Sequence, residues 1–523
     1  MTRTITILLV AALFASCIKD LDRFPANDKT SEDVYADFNG YKQVFAKVYA
    51  SYATIGNNTT GADDIPMADG ALTDFIRCWF NLQCLTTEEA AYTWADAGCP
   101  ELNFMTWTTS NPFVAGLYYR SMYQITLANE FLREATPEKL ELRGITGSEA
   151  DMVASFRYEV RFLRAFQYWV LMDFIGNPSF IDENSTIGGK YLPQQKTRTE
   201  IFDYVESELL AIKDELKEPR TNEYGRADRA AAWALLARMY LNAEVYTGTA
   251  RYTDAITYCQ AVLSAGYDLK DDYSSLFLAD NNLNNPEVIL SVNYDGFHTQ
   301  GYGGLTYIIN SSYKPQRSGD TTNYNNYYGT KGMGGWYSFR TRKQLAEKFD
   351  NADTRRLLIG TKMDIDDITE FEDGLMGAKF RNVTSTGVLG SNPEAMFVDN
   401  DFPLFRLAEI YLIYAEAVKR GGTGGSENTA LGYLNDLRTR AGLTTIGSYD
   451  LDYVLDERAR ELWWECFRRT DLVRYGRYTS GNYLWQWKGG VKEGTSVGEH
   501  LNLFPIPSAD MIANPNLKQN AGY

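Results

Sequence analysis

The sequence predicts a mainly α-helical protein, a body of paired amphipathic helices interrupted by a large irregular, loop-rich region. Three observations carry this reading. Apolar residues recur at i, i+3 and i+4 in stretches spread over most of the 523 residues. Two stretches, 226–266 and 406–442, each hold two helical arms joined by a turn. Two segments, 56–112 and 302–336, have no such period and are rich in turn formers and aromatic rings.

Taken in order, the chain opens with Arg3, an apolar run from Ile5 to Phe14, and Ala15-Ser16-Cys17. A short positive region, an apolar core too short to span a bilayer and small residues before a cysteine make a secretory signal. Leu13 to Cys17 resembles a bacterial lipobox, in which Cys17 is acylated and becomes the first mature residue. Tyr41, Val44, Phe45, Val48 and Tyr49 give the first helix, within 37–53. Helical period returns near 118–135. Over 151–175, Phe156, Val160, Leu163, Phe166, Trp169 and Val170 form one stripe, with Arg157, Arg161 and Arg164 on another face; Gly176-Asn177-Pro178 ends it. The helix over 199–216 is expected to be capped by Thr199 and to stop before Pro219.

The 226–266 pair carries Trp233, Leu236, Ala237 and Tyr240 on one arm and Tyr252, Ala255, Ile256, Cys259 and Val262 on the other. This is similar to the tetratricopeptide pattern, in which small residues let two helices approach and large ones fill between them. The 406–442 pair repeats it with Tyr411, Tyr414, Ala415 and Val418, a Gly-rich turn at 421–425, then Ala430, Leu431, Leu434 and Leu437. An insertion of roughly 267–400 separates the pairs, with 302–336 at its middle. Residues 452–475 read as helix. The tail from Leu503, punctuated by Pro and Asn, is expected to lie over the surface of the helical body.

A net charge of -17 argues against nucleic acid and against adhesion to anionic lipid. With two histidines, His298 and His500, neither in a motif, a Ser-His-Asp triad or a His-bound catalytic zinc is not indicated. A carboxylate pair needs no histidine, but no motif nominates one. Beyond Cys17 there are five cysteines, without metal-like spacing; pairing among Cys78, Cys84 and Cys99 stays open. The stretch from Tyr302 to Trp336 holds six tyrosines and one tryptophan against four charged residues. Disordered segments are poor in aromatics, so a loop of this composition points to function. Planar rings on turn-rich backbone suit a flat-faced ligand, such as a base, an aromatic group or the apolar face of a sugar.

The stretches FRYEVRFLRAFQYWVLMDFIGNP, YGRADRAAAWALLARMYLNAEVYTG, DFPLFRLAEIYLIYAEAVKR, LNDLRTRAGL, ERARELWWECFRRTDLVRYGRY and LFPIPSADMIANPNLKQNAGY, together with the lipobox, resemble the SusD/RagB family of outer-membrane glycan-binding lipoproteins. The resemblance implies a signal peptide over 1–16 and one SusD-like domain over 17–523, with an N-terminal part at 17–220 and a C-terminal RagB/SusD part at 267–523. It implies four tetratricopeptide-like helix pairs, an irregular ligand-binding half, no catalysis and no required cofactor. It also implies lipid anchoring at the outer membrane, facing the cell surface, beneath which a SusC-type TonB-dependent transporter is the partner. The likeness is strongest to the starch-binding members, whose arc of aromatic rings falls on Trp94, Tyr302 and Trp336 and whose polar contacts fall on Asp69 and Arg77. Those members carry an amide shortly after the first tryptophan. Residues 95–102 contain none, which leaves Asp96, or Asn103 with a shifted loop, to take its place. Some members hold a structural calcium, for which Asn282, Asn284, Asp399 and Asp401 are the oxygen-rich candidates here. The expected function is capture of starch or malto-oligosaccharides for the transporter. The alternatives are the same scaffold for levan, mannan or a host glycan, a peptide-binding scaffold and, most distantly, a helical glycoside hydrolase.

Overall fold

Most of the long helices are organised by the apolar stripes that the sequence carries. The computed structural model describes residues 30–56, 64–188, 190–332 and 334–523, so the signal segment 1–16 and Cys17 lie outside the described residues. Helix α1 (Phe38–Ala50) is capped by Asp37 and buries Tyr41, Phe45 and Val48. Beyond the short α2 (Phe75–Phe80), α3 (Pro112–Glu134) and α4 (Ser148–Phe174) pack on each other, and α4 packs on α5 (Arg198–Ile212). The α5 cap is Thr197 rather than the expected Thr199. Its hydroxyl accepts the Glu200 N–H while the Glu200 carboxylate takes the Thr197 N–H at 2.8 Å. Only Thr197 has an acidic residue three positions on, which is what the reciprocal cap requires.

The insertion does not separate the two helix pairs in space. Helix α6 (Arg229–Leu241) packs on α7 (Tyr252–Leu263), and α7 packs directly on α9 (Leu407–Lys419), which pairs with α10 (Glu427–Arg440); α8 (Gly304–Ser311) belongs to the insertion. At the α9–α10 turn a Cβ on Gly422 would stand 2.9 Å from the backbone carbonyl carbon of Tyr252 at the start of α7, so the close approach favours glycine. Among the described residues there are six strands, all short: β1 (Ala91–Tyr92), β2 (Val288–Val292), β3 (Phe339–Arg340), β4 (Leu358–Ile359), β5 (Met376–Gly377) and β6 (Phe402–Arg406). They form three antiparallel pairs, β1–β3, β2–β6 and β4–β5. The β2–β6 pair, with Val292 opposite Phe402 and Val288 opposite Arg406, closes the neck of the insertion.

A buried ion network clamps that neck to α11 (Leu451–Leu462). Arg406 reaches Glu287 at 2.8 Å, Glu461 at 2.6 Å and Glu465 at 2.6 Å. Arg440 pairs with Glu287 and Glu461, and Arg355 with Asp353, Glu457 and Glu461. Lys379 closes on Glu465 at 2.6 Å. Helix α12 (Arg468–Arg474) follows, and the tail from Leu503 departs from expectation. Phe504 and Ile506 are fully buried, with Phe504 stacked on Phe174 at 5.7 Å and its N–H donated to the Phe174 carbonyl. The prolines on either side of Ile506 break any period, which hides two core residues from a search for helical stripes. Among the described residues no helix is long and apolar enough to cross a membrane.

Candidate functional site

The two segments without helical period meet, and Asp74 joins them. Its carboxylate caps α2 by accepting the Arg77 N–H at 2.8 Å, and the same oxygen accepts the Gly304 N–H of α8 at 2.9 Å. A Cβ on Gly303 would lie 2.2 Å from the Asp74 carboxyl carbon, so the close approach depends on glycine there. At the far end of α8, the backbone N–H groups of Trp336, Tyr337 and Ser338 donate to the carbonyls of Asn310, Tyr313 and Ser311. The Thr93 N–H in turn donates to the Ser338 carbonyl, beside β1–β3. This ladder carries Trp336 to Trp94 across 242 positions of sequence.

The three expected platforms are brought together. The Trp94 indole N–H donates to the Trp336 carbonyl at 2.9 Å, and the Trp336 and Tyr302 rings stand 6.4 Å apart at 57°. Trp94 is 41% exposed and Tyr302 37%, while Trp336 is half-buried. Such rings offer apolar faces to solvent at a cost in hydration that a flat ligand face would relieve. Behind them, Arg77 is 8% exposed, with its guanidinium 4.3 Å over the Tyr307 ring. Its Nη1 donates to the Tyr302 carbonyl at a long 3.4 Å, and its Nε has no protein partner. Burial works to lower the Arg77 pKa, but the phenols of Tyr307 and Tyr92, with Cys99 and Asp69, outweigh it, so the guanidinium stays charged. A buried, charged and under-used donor behind an aromatic surface can bond ligand hydroxyls. Asp69 is exposed at the edge, where its carboxylate accepts the Ala71 N–H at 3.0 Å.

Of the two candidates for the missing amide, Asn103 is engaged within the fold. Its side chain is buried and spans the Tyr92 backbone, accepting that N–H at 2.9 Å and donating to that carbonyl at 2.8 Å. Asp96 is exposed two residues from Trp94 and accepts the Tyr92 hydroxyl at 2.6 Å. The middle tyrosines of 302–336 are mostly core. Tyr313 and Tyr328 stack at 4.4 Å and are fully buried, Tyr324 is buried beside them, and only Tyr327 is exposed. The stretch is also not all loop, since it contains α8 and a turn of helix over Tyr324–Tyr328. Every residue of α8 is buried, and its eight residues between turn formers are too short a run for a helical period to stand out.

The oxygen-rich runs proposed for calcium do meet, but through an amide. Asn281 accepts the Asp401 N–H at 3.0 Å and donates to the Asp401 carbonyl at 2.8 Å. Asp399 accepts from the Gly296 N–H and from the N–H and hydroxyl of Ser391, and Asp401 from the Tyr294 N–H. Asn282 and Asn284 take no part in these contacts, and Asn284 uses its backbone carbonyl on Lys270. The hydrogen-bonded staple is thus made by Asn281, Asp399 and Asp401, and among the described residues no group of three His, Cys, Asp or Glu side chains is placed to hold a metal. Cys78, Cys84, Cys99, Cys259 and Cys466 are all buried and unpaired. Residues that sequence reasoning passed over also reach the site. Phe397 stands 6.0 Å from the Tyr302 ring, and Tyr337 meets Trp94 edge-on at 4.9 Å. Tyr337 directly follows a predicted platform, and that adjacency was the only signal available for it.

Comparison with known proteins places the chain. The sequence model of the SusD family matches residues 367–523. The starch-binding protein SusD of Bacteroides thetaiotaomicron is 35% identical over 574 aligned positions, covering 100% of both chains. Among solved structures, a SusD superfamily protein from Parabacteroides distasonis superposes with a TM-score of 0.70 at 21% identity, covering 95% of this chain and 100% of that one. Surface glycan-binding protein A from Bacteroides thetaiotaomicron, solved in complex with laminarihexaose, gives a TM-score of 0.68 at 20% identity, covering 92% of this chain and 99% of that one. These two share its fold. On the strength of the full-length relative, the chain belongs to the SusD family.

Proposed function

We propose that this protein is a non-enzymatic cell-surface receptor that captures starch and malto-oligosaccharides and passes them to a SusC-like TonB-dependent transporter. The observation that carries the reading is the convergence of Trp94, Trp336 and Tyr302, from two distant segments, over the buried guanidinium of Arg77. Rings tilted by 57° rather than coplanar form a bent surface, which suits a chain that curves, as an α-glucan does. The full-length similarity to a starch-binding protein supports the same ligand class. Acylation at Cys17 would hold the receptor at the outer membrane, where proximity to the transporter raises the effective glycan concentration.

Electrophoresis through gels containing starch tests the reading. The wild-type protein is expected to be retarded by amylose and amylopectin and not by levan or mannan. Unretarded migration in starch, with binding on a glycan array to levan, mannan or a host glycan, would transfer the same surface to another ligand.

A further inference from the structure

An exposed tryptophan on a loop ordinarily samples several side-chain orientations, and ordering it on binding costs affinity. Trp94 follows a two-residue strand and is the most exposed of the three platforms. Two contacts hold it nonetheless, and both come from adjacent residues. The Trp336 carbonyl accepts its indole N–H at 2.9 Å, and the Tyr337 ring packs against the Trp94 ring in a T-shaped arrangement at 4.9 Å and 61°. Tyr337 makes both contacts possible by standing at φ 39°, in the left-handed region that bulky residues rarely adopt. That conformation persists because its surroundings over-determine it. The Tyr337 N–H donates to the Tyr313 carbonyl, its ring meets Phe371 at 5.9 Å, and the neighbouring N–H groups of Trp336 and Ser338 are tied to α8. Backbone strain maintained beside a binding surface is a mark of preorganisation.

We infer that Tyr337 is a positioning residue: its ring and its left-handed backbone lock Trp94 relative to Trp336 and so set the curvature of the platform before ligand arrives. The inference rests on the α-glucan reading for its ligand, but not for its mechanism. The hydrogen bond to the Trp336 carbonyl ties the two indoles together, and Tyr302 completes the bend, 6.4 Å from the Trp336 ring at 57° and 6.0 Å from Phe397. A preformed bend favours a ligand already curved over one that must be bent on binding. Tyr337 therefore governs selectivity between cyclic and linear glucans of the same length, without itself offering the main contact face.

The test uses the full mature chain and three variants, Tyr337→Phe, Tyr337→Ala and Tyr337→Gly. Titration calorimetry with cyclomaltoheptaose and maltoheptaose reads selectivity. Fluorine NMR of protein labelled with 5-fluorotryptophan, with the Trp94 signal assigned by Trp94→Phe, reads the mobility of the ring in the absence of ligand. Tyr337→Phe keeps the ring edge and is expected to behave as wild type in both. Tyr337→Ala and Tyr337→Gly are expected to narrow or split the Trp94 resonance. They should also lose about tenfold in affinity for the cyclic glucan and about threefold or less for the linear one, tenfold being about 1.4 kcal/mol. An unchanged Trp94 resonance in Tyr337→Ala would overturn the inference, as would equal losses on both ligands. If wild-type protein binds neither glucan, the functional reading fails, while the ligand-free spectra still decide whether Tyr337 holds Trp94. Loss of the native dispersion in Tyr337→Ala would mark unfolding, and Tyr337→Gly, which tolerates the positive φ, then carries the comparison.

Discussion

Replacing Trp94 by alanine is expected to lower the affinity for malto-oligosaccharide roughly tenfold, a figure that follows from what the ring still exposes. At 41% exposure a tryptophan presents on the order of 100 Å². Covering all of it at about 25 cal/mol per Å² would contribute about 2.5 kcal/mol. A glycan resting on one face covers about half, which leaves roughly 1.3 kcal/mol, or close to tenfold in Kd. The same truncation removes the hydrogen bond to the Trp336 carbonyl, but both groups lie at the surface where water replaces the partner, so little stability is lost. Calorimetric titration with maltoheptaose, alongside a thermal melt, checks this. Tyr327→Ala is the control, because its ring is 37% exposed but lies outside the aromatic arc. A Trp94→Ala protein that melts like wild type and binds within twofold of it would refute the assignment of Trp94 as a platform. Equal loss from Tyr327→Ala would show instead that exposed rings outside the arc contribute as well.

Further outcomes follow from the buried charges. Arg77→Met keeps the packing on Tyr307 but removes the donor; Kd should rise roughly 10- to 100-fold, as for loss of a charge-assisted hydrogen bond, with near-native melting, and unaltered binding would refute it. Glu461 faces Arg355, Arg406 and Arg440, so Glu461→Gln leaves buried positive charge uncompensated and is expected to cost about 3–5 kcal/mol. For a chain of this size that lowers Tm by roughly 3–5 °C in a calorimetric scan, and a change below about 1 °C would contradict the ion-network account. Burial pushes the Asp401 carboxyl up to about 7, against the pull of the Tyr294 N–H and the Tyr224 hydroxyl, where an unfolded aspartate sits near 3.9. The folded chain thus holds this proton more tightly, so the associated stability is present below about pH 4 and is lost as pH rises toward 7. Asp401→Asn, which retains an acceptor for Tyr294, should melt higher than wild type at about pH 8 and equally near pH 4; a lower melt at the higher pH would reverse the sign of the argument.

What the sequence by itself determined is whatever is encoded within a few turns of chain. The stripes of α4, α7, α9 and α11 were legible because each helix has an apolar and a more polar face, and periodicity reports that contrast; α6, buried on nearly every side, was legible from its alternation of small and large residues. The helix pair at 406–442 was legible for the same reason, as was the aromatic bias of 302–336. The platforms Trp94, Tyr302 and Trp336 came from likeness to a family; no local pattern distinguishes them from Trp464 or Tyr328, which are core. Tertiary structure alone decided the rest. Helix α8 escaped notice because only eight residues lie between turn formers, and the tail residues Phe504 and Ile506 because prolines flank them. The stacking of α7 on α9 depends on β2 and β6 closing the insertion more than 100 positions apart. The site itself exists because Asp74 caps two helices from different segments and because the Trp336 carbonyl faces the Trp94 indole. Contacts of that kind join groups far apart in sequence, and whether two such groups meet is settled by the packing of everything between them.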